Sequence, residues 1–394
     1  MEENANPEWE SEGAKSAEYC HWFFAFFAAY CKGRRERPTL SLHGEDNKGA
    51  EKLVAKMIKK GAAALAVALL LTLSPAAAEG PARRLVPVGA AIGVHLETDG
   101  LLVIGMSEPE TGGGSRSPAF EAGIRSGDLI QAVGQVRVST ARQLREALET
   151  EGEEVSVRFL REGREMQVTV RPQKGEDGQP ELGVWLRSGL SGIGTMTWYD
   201  PDTGRFGALG HAVSDVDTGV LLPMKCGIVG KASVDSILRG SAGEPGELKG
   251  SMGLEKPFGS ILENREAGIF GVLEPGALPE TLGEPVELCP LGELRCGPAE
   301  IVSDVSGSRE KYSARVLRVY PGGGCRDLLI QVTDDRLIGL TGGIVQGMSG
   351  SPILQDGRLA GAVTHVLVSD PTKGYGISIE DMLETAEAAA ENAA

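Results

Sequence analysis

Short apolar segments separated by glycine make up most of the chain after Trp185. Stretches such as "GIGTMTWYD", "GIFGVLE" and "ARVLRVY" each run into a turn that contains Gly, Pro or Asp. Segments of this length are typical of strands joined by tight turns, whereas buried helices need longer runs. The 55 glycines and the 5% aromatic content also favour strands and turns over long helices. Residues 185–394 are therefore predicted to form a β-barrel or sandwich, which ends in a helix that opens near Ser378.

Residues 85–172 have the pattern of a smaller, separate module. Alternating apolar and polar residues predict paired strands at its start, and an amphipathic helix is predicted from Thr140 to Glu149. The stretch "SPAFEAGIRSGDLIQAVGQVRV" within it resembles the signature of PDZ domains. In that family a peptide is added as a strand at a sheet edge, and backbone N–H groups of one loop hold its C-terminal carboxylate. The earlier "GAAIGV" stands in the place of that loop, so the resemblance implies that Ala91, Ile92, Gly93 and Val94 bind the peptide.

A targeting segment precedes the module. Residues 57–79, "MIKKGAAALAVALLLTLSPAAAE", contain two lysines, an uncharged Ala/Leu run and a terminal Ala-x-Ala. This order predicts a secretory signal or a membrane anchor over 57–80, and the alternative is a buried Ala/Leu helix. Residues 1–56 are predicted to be a poorly structured extension. Our hypothesis is that translation begins at Met57.

Charge and cysteine content exclude several classes of function. A formal net charge of −16 disfavours nucleic acid as a partner, because phosphate binding needs clustered Lys and Arg. The six cysteines form no CxxC pair, and no His/Cys cluster has the spacing of metal ligands. Neither a metal nor another cofactor is therefore predicted. Cys289 and Cys296 are the candidate pair for a disulfide.

The stretch "GIVQGMSGSPILQDG" contains the candidate nucleophile. Ser349 lies between Gly347 and Gly350, as in the Gly-x-Ser-Gly-x-Pro motif of chymotrypsin-like proteases. Glycines at these positions allow a sharp turn, in which the N–H groups of Gly347 and Ser349 can form an oxyanion hole. Ser351 does not have glycines at the corresponding positions and is followed by Pro352, so Ser349 is the preferred nucleophile. A surface turn remains the alternative for the motif taken alone.

Two histidines could act as the base of a serine nucleophile. His211 follows an apolar strand in "FGALGHAVSDVDTG" and precedes a polar loop, which is where a strand end presents a base. His365, in "GAVTHVLV", shares a strand face with Val363 and is predicted to be a hydrogen-bonded barrel residue. His211 also precedes Ser349 in the chain, as the base precedes the nucleophile in chymotrypsin.

The sequence offers two pairs of aspartates as candidates for the acid that orients the base. Asp215 and Asp217 lie close to His211 in sequence, and acids so placed usually belong to a local turn. Asp334 and Asp335 end a predicted strand about 15 residues before Ser349. The chain order His, Asp, Ser favours this second pair and does not separate its two members.

The stretches "FGALGHAVSDVDTG" and "GIVQGMSGSPILQDGRLAGAVTHVLVSDPTKGYGI", after a signal and a PDZ-like module, resemble the stage IV sporulation protein B family. These are PDZ-containing serine peptidases of endospore-forming bacteria. The resemblance implies a catalytic triad of His211, Asp334 and Ser349. It also implies export across the inner forespore membrane, self-cleavage, and cleavage of a regulatory membrane protein. That cut leads to activation of a late mother-cell sigma factor.

The expected architecture is therefore mainly β. A PDZ domain (85–172) is followed by a chymotrypsin-like β-barrel serine peptidase domain (185–394), with an N-terminal signal or anchor helix (57–80). The expected partners are a peptide or protein substrate in a membrane complex, the chain itself as a substrate, and the membrane. Two other functions are left open: a catalytically idle PDZ adaptor, and a general quality-control protease.

Overall fold

The computed structural model describes residues 83–107, 117–175, 177–278 and 283–392. The predictions for residues 1–56 and 57–80 lie outside these ranges. The described part is mainly β, as expected. None of its helices has the length and apolar character needed to cross a membrane.

The strands are β1 (Arg84–Pro87), β2 (Ala91–Met106), β3 (Leu129–Val133), β4 (Val136–Arg137), β5 (Val155–Arg161), β6 (Arg164–Val170), β7 (Gln173–Lys174), β8 (Pro180–Glu181), β9 (Val184–Tyr199), β10 (Arg205–Ala208), β11 (Met224–Leu238), β12 (Glu247–Gly253), β13 (Gly259–Arg265), β14 (Gly268–Leu273), β15 (Val286–Glu287), β16 (Gly297–Ser303), β17 (Glu310–Val319), β18 (Leu328–Val332), β19 (Pro352–Gln355), β20 (Arg358–Val366) and β21 (Lys373–Ser378). The α-helices are α1 (Pro118–Glu121), α2 (Ala141–Glu151), α3 (Asp335–Thr341) and α4 (Ile379–Asn392). Two 3-10 helices span Leu291–Glu293 and Gly324–Arg326.

Alternation of apolar and polar side chains explains why these segments form sheets. In β17, "EKYSARVLRV", Tyr312, Ala314 and Val316 are buried, and the residues between them are exposed. The period of two places every second side chain on the same face, which here is the interior of a barrel. In β5 the same period buries Val155 and Phe159.

Two closed barrels result from the pairing of these strands. The first barrel contains β9, β10, β14, β13, β11 and β2 in that order, and β2 pairs again with β9 to close the ring. The second barrel contains β16, β17, β18, β21, β20 and β19. A shared apolar layer joins the two, because Leu85 and Trp198 pack with residues of the second barrel and with Met382 of α4. All six strands of each barrel are therefore fixed by neighbours on both edges.

The PDZ-like module is an insertion in the first barrel and not a domain in front of it. Residues 91–97 of β2 pair with residues 189–195 of β9 inside the barrel, whereas residues 102–106 pair with residues 184–187 inside the module. Both long strands thus leave the barrel and enter the module, with a register shift between Glu97 and Leu102. The expected boundaries, 85–172 followed by 185–394, differ from this arrangement. The barrel already includes the start of β2, and the module also uses the start of β9.

The segment expected to form the carboxylate-binding loop is instead a barrel strand. Ala91, Ile92, Gly93 and Val94 lie at the start of β2, and the register pairs Ile92, Gly93 and Val94 with both β9 and β11. The N–H of Ala91 donates to Oδ2 of Asp304 at 2.8 Å. The side chains of Ala91, Ile92 and Val94 are all buried. A strand with neighbours on both sides has no open edge for a peptide, so this prediction was wrong.

The expected disulfide is also absent from the described residues. Cys289 is buried, Cys296 is exposed, and both thiols are free. Cys296 Sγ–H instead donates to the carbonyl of Leu317 at 3.2 Å.

Candidate active site

The predicted nucleophile, Ser349, and the predicted base, His211, line the same cavity, which has a volume of 690 Å³. His211 comes from the segment that follows β10 of the first barrel, and Ser349 comes from the segment that precedes β19 of the second. Other residues in its wall include Glu266, Cys325, Gly347 and His365. The cavity therefore lies where the barrels meet, and neither barrel forms it alone.

The loop around Ser349 is held by hydrogen bonds to both barrels, and the one to the second barrel runs from the N–H of Gly350 to the carbonyl of Val363 at 2.7 Å. Thr195 of β9 donates its N–H to the carbonyl of Ser349 at 3.0 Å and its hydroxyl to the carbonyl of Gly347 at 2.7 Å. Gly347 and Gly350 both have φ of +97°, a conformation that L side chains rarely adopt. A Cβ at Gly350 would lie 2.0 Å from the carbonyl oxygen of Thr195. Glycine is thus required at this position by both conformation and space.

The arrangement favours Ser349 over Ser351 as nucleophile. Ser349 is half-buried and lines the cavity, and its Oγ–H donates to the carbonyl of Thr364 at 2.8 Å. Ser351 is fully buried, and its hydroxyl has no hydrogen-bond partner in the described structure.

Two N–H groups of this loop can form an oxyanion hole. Those of Met348, Gly350 and Ser351 donate to carbonyl groups of the protein. Those of Gly347 and Ser349 have no such acceptor among the described residues. This is the state that a pair of donors needs if it is to bind a substrate oxygen.

His211 enters the cavity because two residues before it have left-handed backbone. Leu209 and Gly210 have φ of +70° and +71°, which turns the chain away from β10. The Nδ1 of His211 lies 2.8 Å from the carbonyl oxygen of Ala212. Because a carbonyl can only accept, Nδ1 carries the proton and Nε2 keeps the lone pair that a base needs. Burial lowers the pKa of His211, although the hydrogen bond to Ala212 opposes this shift.

The loop after His211 is fixed by side chains that do not contact the imidazole. Asn264 of β13 accepts from the N–H of Val213 and donates to its carbonyl, both at 2.8 Å. Asp215 accepts from the N–H of Thr218 at 2.9 Å, and both Asp215 and Asp217 pair with Arg187. These acids therefore belong to a local turn, as their closeness in sequence indicated.

Asp334 is not beside His211. It is the N-cap of α3, where its side chain accepts from the N–H of Arg336 at 3.0 Å and from the N–H of Ser313 at 3.1 Å. Hydrogen bonds from Arg336 lower the pKa of Asp334 to about 2, against the opposing effect of burial.

Strand geometry explains the separation. The strand β18 runs between Cys325, which lines the cavity, and Asp334. The five residues of β18, at about 3.4 Å each, are roughly 17 Å of extended chain between the two. Asp335 is exposed on the first turn of α3 and lies at the same end of β18. Neither acid lines the cavity, and the hydrogen bond found at the His211 ring is the one to Ala212. A catalytic role for Asp334 or Asp335 therefore stays a prediction.

Comparison with known proteins identifies the family. A family model described as SpoIVB peptidase S55 matches residues 178–383, which is more than half of the 394 residues. The chain belongs to the SpoIVB peptidase S55 family. It is thus a serine peptidase, and a PDZ domain model matches residues 92–171. No curated protein matches the sequence.

Several solved structures resemble parts of this S55 peptidase. The active form of the Rv3671c protease from M. tuberculosis is 16% identical over 50% of this chain and 72% of that chain, with a TM-score of 0.30. The HtrA-type protease AlgW with a decapeptide is 12% identical over 52% of this chain and 54% of that chain, with a TM-score of 0.31. The PDZ domain of an SdrC-like protein from Listeria monocytogenes is 18% identical over 22% of this chain and 87% of that chain, with a TM-score of 0.19.

The S55 peptidase also has a second imidazole in the cavity, which the sequence did not predict there. The ring of His365 lies 5.1 Å from that of His211, centroid to centroid, with an interplanar angle of 41°. The side chain is exposed to the cavity, whereas Val363 is fully buried. The register of β20 against β21 shifts between these two residues, and such a bulge moves the following side chains to the other face. Val363 and His365 therefore do not share a face.

Proposed function

We propose that this S55 peptidase is an endopeptidase in which Ser349 is the nucleophile and His211 the general base. The observation that carries the proposal is the cavity between the barrels, which is lined both by Ser349 on its glycine-bounded loop and by His211, whose Nδ1 faces the Ala212 carbonyl. In catalysis, the Ser349 hydroxyl turns from the Thr364 carbonyl and attacks the peptide carbonyl carbon. The N–H groups of Gly347 and Ser349 stabilise the oxyanion.

We further propose the biological role that the sequence resemblance implies. The segment 57–79 exports the chain across the inner forespore membrane or anchors it there, and the peptidase acts between the forespore membranes. Its substrates are the chain itself and a regulatory membrane protein, whose cleavage leads to activation of a late mother-cell sigma factor. The Ala-x-Ala at the end of the apolar run and the family membership support this role.

The catalytic assignment is tested with a fluorophosphonate probe, which labels activated serines irrespective of substrate. The full chain is expected to become labelled at Ser349, and Ser349→Ala and His211→Gln are expected to remain unlabelled. Ser351→Ala serves as the matched control and should be labelled. Unlabelled wild-type protein would favour the idle PDZ adaptor.

The substrate range is tested separately. Mass-spectrometric mapping of the incubated chain is expected to show a few discrete self-cleavage sites that Ser349→Ala lacks. Broad digestion of casein would favour a general quality-control protease instead.

A further inference from the structure

The chain folds back on itself directly after His211. Residues 213–222 form a short hairpin, in which the N–H of Leu222 donates to the carbonyl of Val213 at 3.0 Å. Residues 212–214, at the start of this hairpin and just before it, line the same cavity as His211. Any movement of the 213–222 hairpin therefore moves part of the cavity wall and the backbone that carries the base.

The first barrel holds the two ends of the 213–222 hairpin. The side chain of Asn264, on β13, accepts from the N–H of Val213 and donates to its carbonyl, both at 2.8 Å. It also donates to the carbonyl of Leu222 at 3.1 Å. These bonds lie at the end of the hairpin that is nearest to His211 in the chain. The tip, residues 215–220, is held by other contacts.

The PDZ-like module holds the tip. Arg187 lies in the part of β9 that pairs with β2 inside the module. Its guanidinium donates to Oδ2 of Asp215 and, at 2.8 Å, to Oδ2 of Asp217. A second contact is apolar, because a Cβ at Gly127, in the turn before β3, would lie 3.3 Å from Cγ2 of Val220. One arginine and one turn of the module thus contact the tip of the hairpin.

The Asp215 carboxylate divides its two oxygens between the hairpin turn and the module. Oδ1 accepts from the N–H and the hydroxyl of Thr218, both at 2.9 Å, and Oδ2 accepts from Arg187. The Asp215 side chain is fully buried. A buried carboxylate that loses its cation is costly, and the structure around it shifts to reduce that cost. Removal of Arg187 is therefore expected to displace the tip and not only to weaken a surface contact.

We propose that Arg187 is a positioning residue, which fixes the 213–222 hairpin against the module and so holds His211 where it takes the proton of Ser349. This rests on the proposed function of Ser349 and His211. Arg187 does not line the cavity, and it acts through Asp215, which is four residues after His211 in the chain. A displacement of about 1 Å in a catalytic group can cost on the order of 10²-fold in rate.

The nucleophile is held independently of this arginine. Thr195 bonds to the carbonyls of Gly347 and Ser349, and the N–H of Gly350 donates to the carbonyl of Val363. Loss of Arg187 should therefore misplace the base and leave the nucleophile and the oxyanion hole in position. This difference makes the inference testable in the kinetics.

The test compares Arg187→Ala and Arg187→Lys with wild type in the full chain. Fluorophosphonate labelling of Ser349 is followed at several probe concentrations, which gives the saturating rate constant and the half-saturating concentration separately. Arg187→Ala should lower the saturating rate constant about 10–100-fold and keep the half-saturating concentration within about twofold. Arg187→Lys should lie between Arg187→Ala and wild type, because one ammonium group keeps the charge but does not reproduce the guanidinium fork. A loss of stability alone would reduce the amount of protein that labels and leave the rate constant unchanged.

A second variant shows whether Arg187 acts through Asp215. Asp215→Asn removes the charge that Arg187→Ala leaves buried, and the amide oxygen can still accept from Thr218. The double variant should therefore label at least as fast as Arg187→Ala alone, whereas two independent losses would multiply. In Arg187→Ala, hydrogen exchange should become faster at the N–H groups of residues 215–220 and stay unchanged in the second barrel.

The control is Arg171→Ala, which removes an exposed arginine of the same module from its pair with Glu154 and should leave the rate constant unchanged. A wild-type rate constant in Arg187→Ala would overturn the inference. So would an equal loss in the control, multiplied losses in the double variant, or unchanged hydrogen exchange at the tip. If Arg187→Ala does not fold, Arg187→Lys provides the measurement, and a wild-type rate constant there would also overturn the inference. Absence of labelling in wild type would instead defeat the proposed function.

Discussion

Asp327 makes the stability of the second barrel depend on pH. It follows the 3-10 helix before β18 and is fully buried, and its Oδ2 accepts from the N–H of Ser378 at 2.9 Å. Asp381, on the first turn of α4, is its acidic neighbour. Burial raises the pKa of Asp327 to about 7; the Ser378 N–H opposes this shift, and Asp381 adds to it.

The sign of the effect follows from proton binding. In the unfolded chain the carboxyl loses its proton near its ordinary pKa, so between about pH 4 and 7 the folded protein holds one proton that the unfolded chain lacks. The free energy of unfolding therefore falls as pH rises through this window. The slope is ~1 kcal/mol per pH unit, and the total over three units is on the order of 3–4 kcal/mol. Below pH 4 and above pH 7 this carboxyl adds no further slope.

Asp327→Asn removes this dependence, since the neutral amide is nearly isosteric and still accepts from Ser378. Thermal unfolding of wild type and variant should be followed by circular dichroism at pH 4.5, 5.5, 6.5 and 7.5. We expect the midpoint of the variant to rise relative to wild type with each step in pH. Asp202→Asn, at an exposed turn, serves as control and should give a constant difference. Parallel pH curves for wild type and Asp327→Asn would refute the reasoning.

Three further predictions concern the site and its support. Ser349→Ala should abolish self-cleavage and leave the unfolding midpoint unchanged, and continued processing would contradict the assignment. Asp334→Asn should retain a labelling rate within a few-fold of wild type, and Asp334→Ala should lose ~1 kcal/mol of stability through the lost helix cap. If Asp334→Asn instead loses labelling by orders of magnitude and Asp335→Asn does not, Asp334 reaches the base in the working enzyme. Gly350→Ala should cost roughly 3–5 kcal/mol in unfolding experiments or prevent folding, because its Cβ would lie 2.0 Å from the Thr195 carbonyl oxygen.

The local sequence was sufficient to predict the elements and to select two candidate site residues that line one cavity. Strand periodicity and glycine turns predicted a mainly β chain, because side-chain alternation is a property of each strand by itself. The same local reasoning selected Ser349 over Ser351, and His211 at the end of a strand. In both cases the deciding feature is the backbone of a few adjacent residues, such as the positive φ of Gly347, Gly210 and Gly350.

The positions of other residues depend on which strands pair, and a short stretch of sequence does not specify strand pairing. "GAAIGV" resembles a PDZ loop by its letters, yet β9 and β11 occupy both edges of residues 92–94. The order His, Asp, Ser favoured Asp334, which in the structure caps α3 and does not line the cavity. His365 enters the site because a single bulge shifts β20 against β21. The sequence thus determined what each segment can form and which residues are candidates for the chemistry. The tertiary structure alone decided which of them lie together, because strand partners and register are set by contacts between residues far apart in the chain.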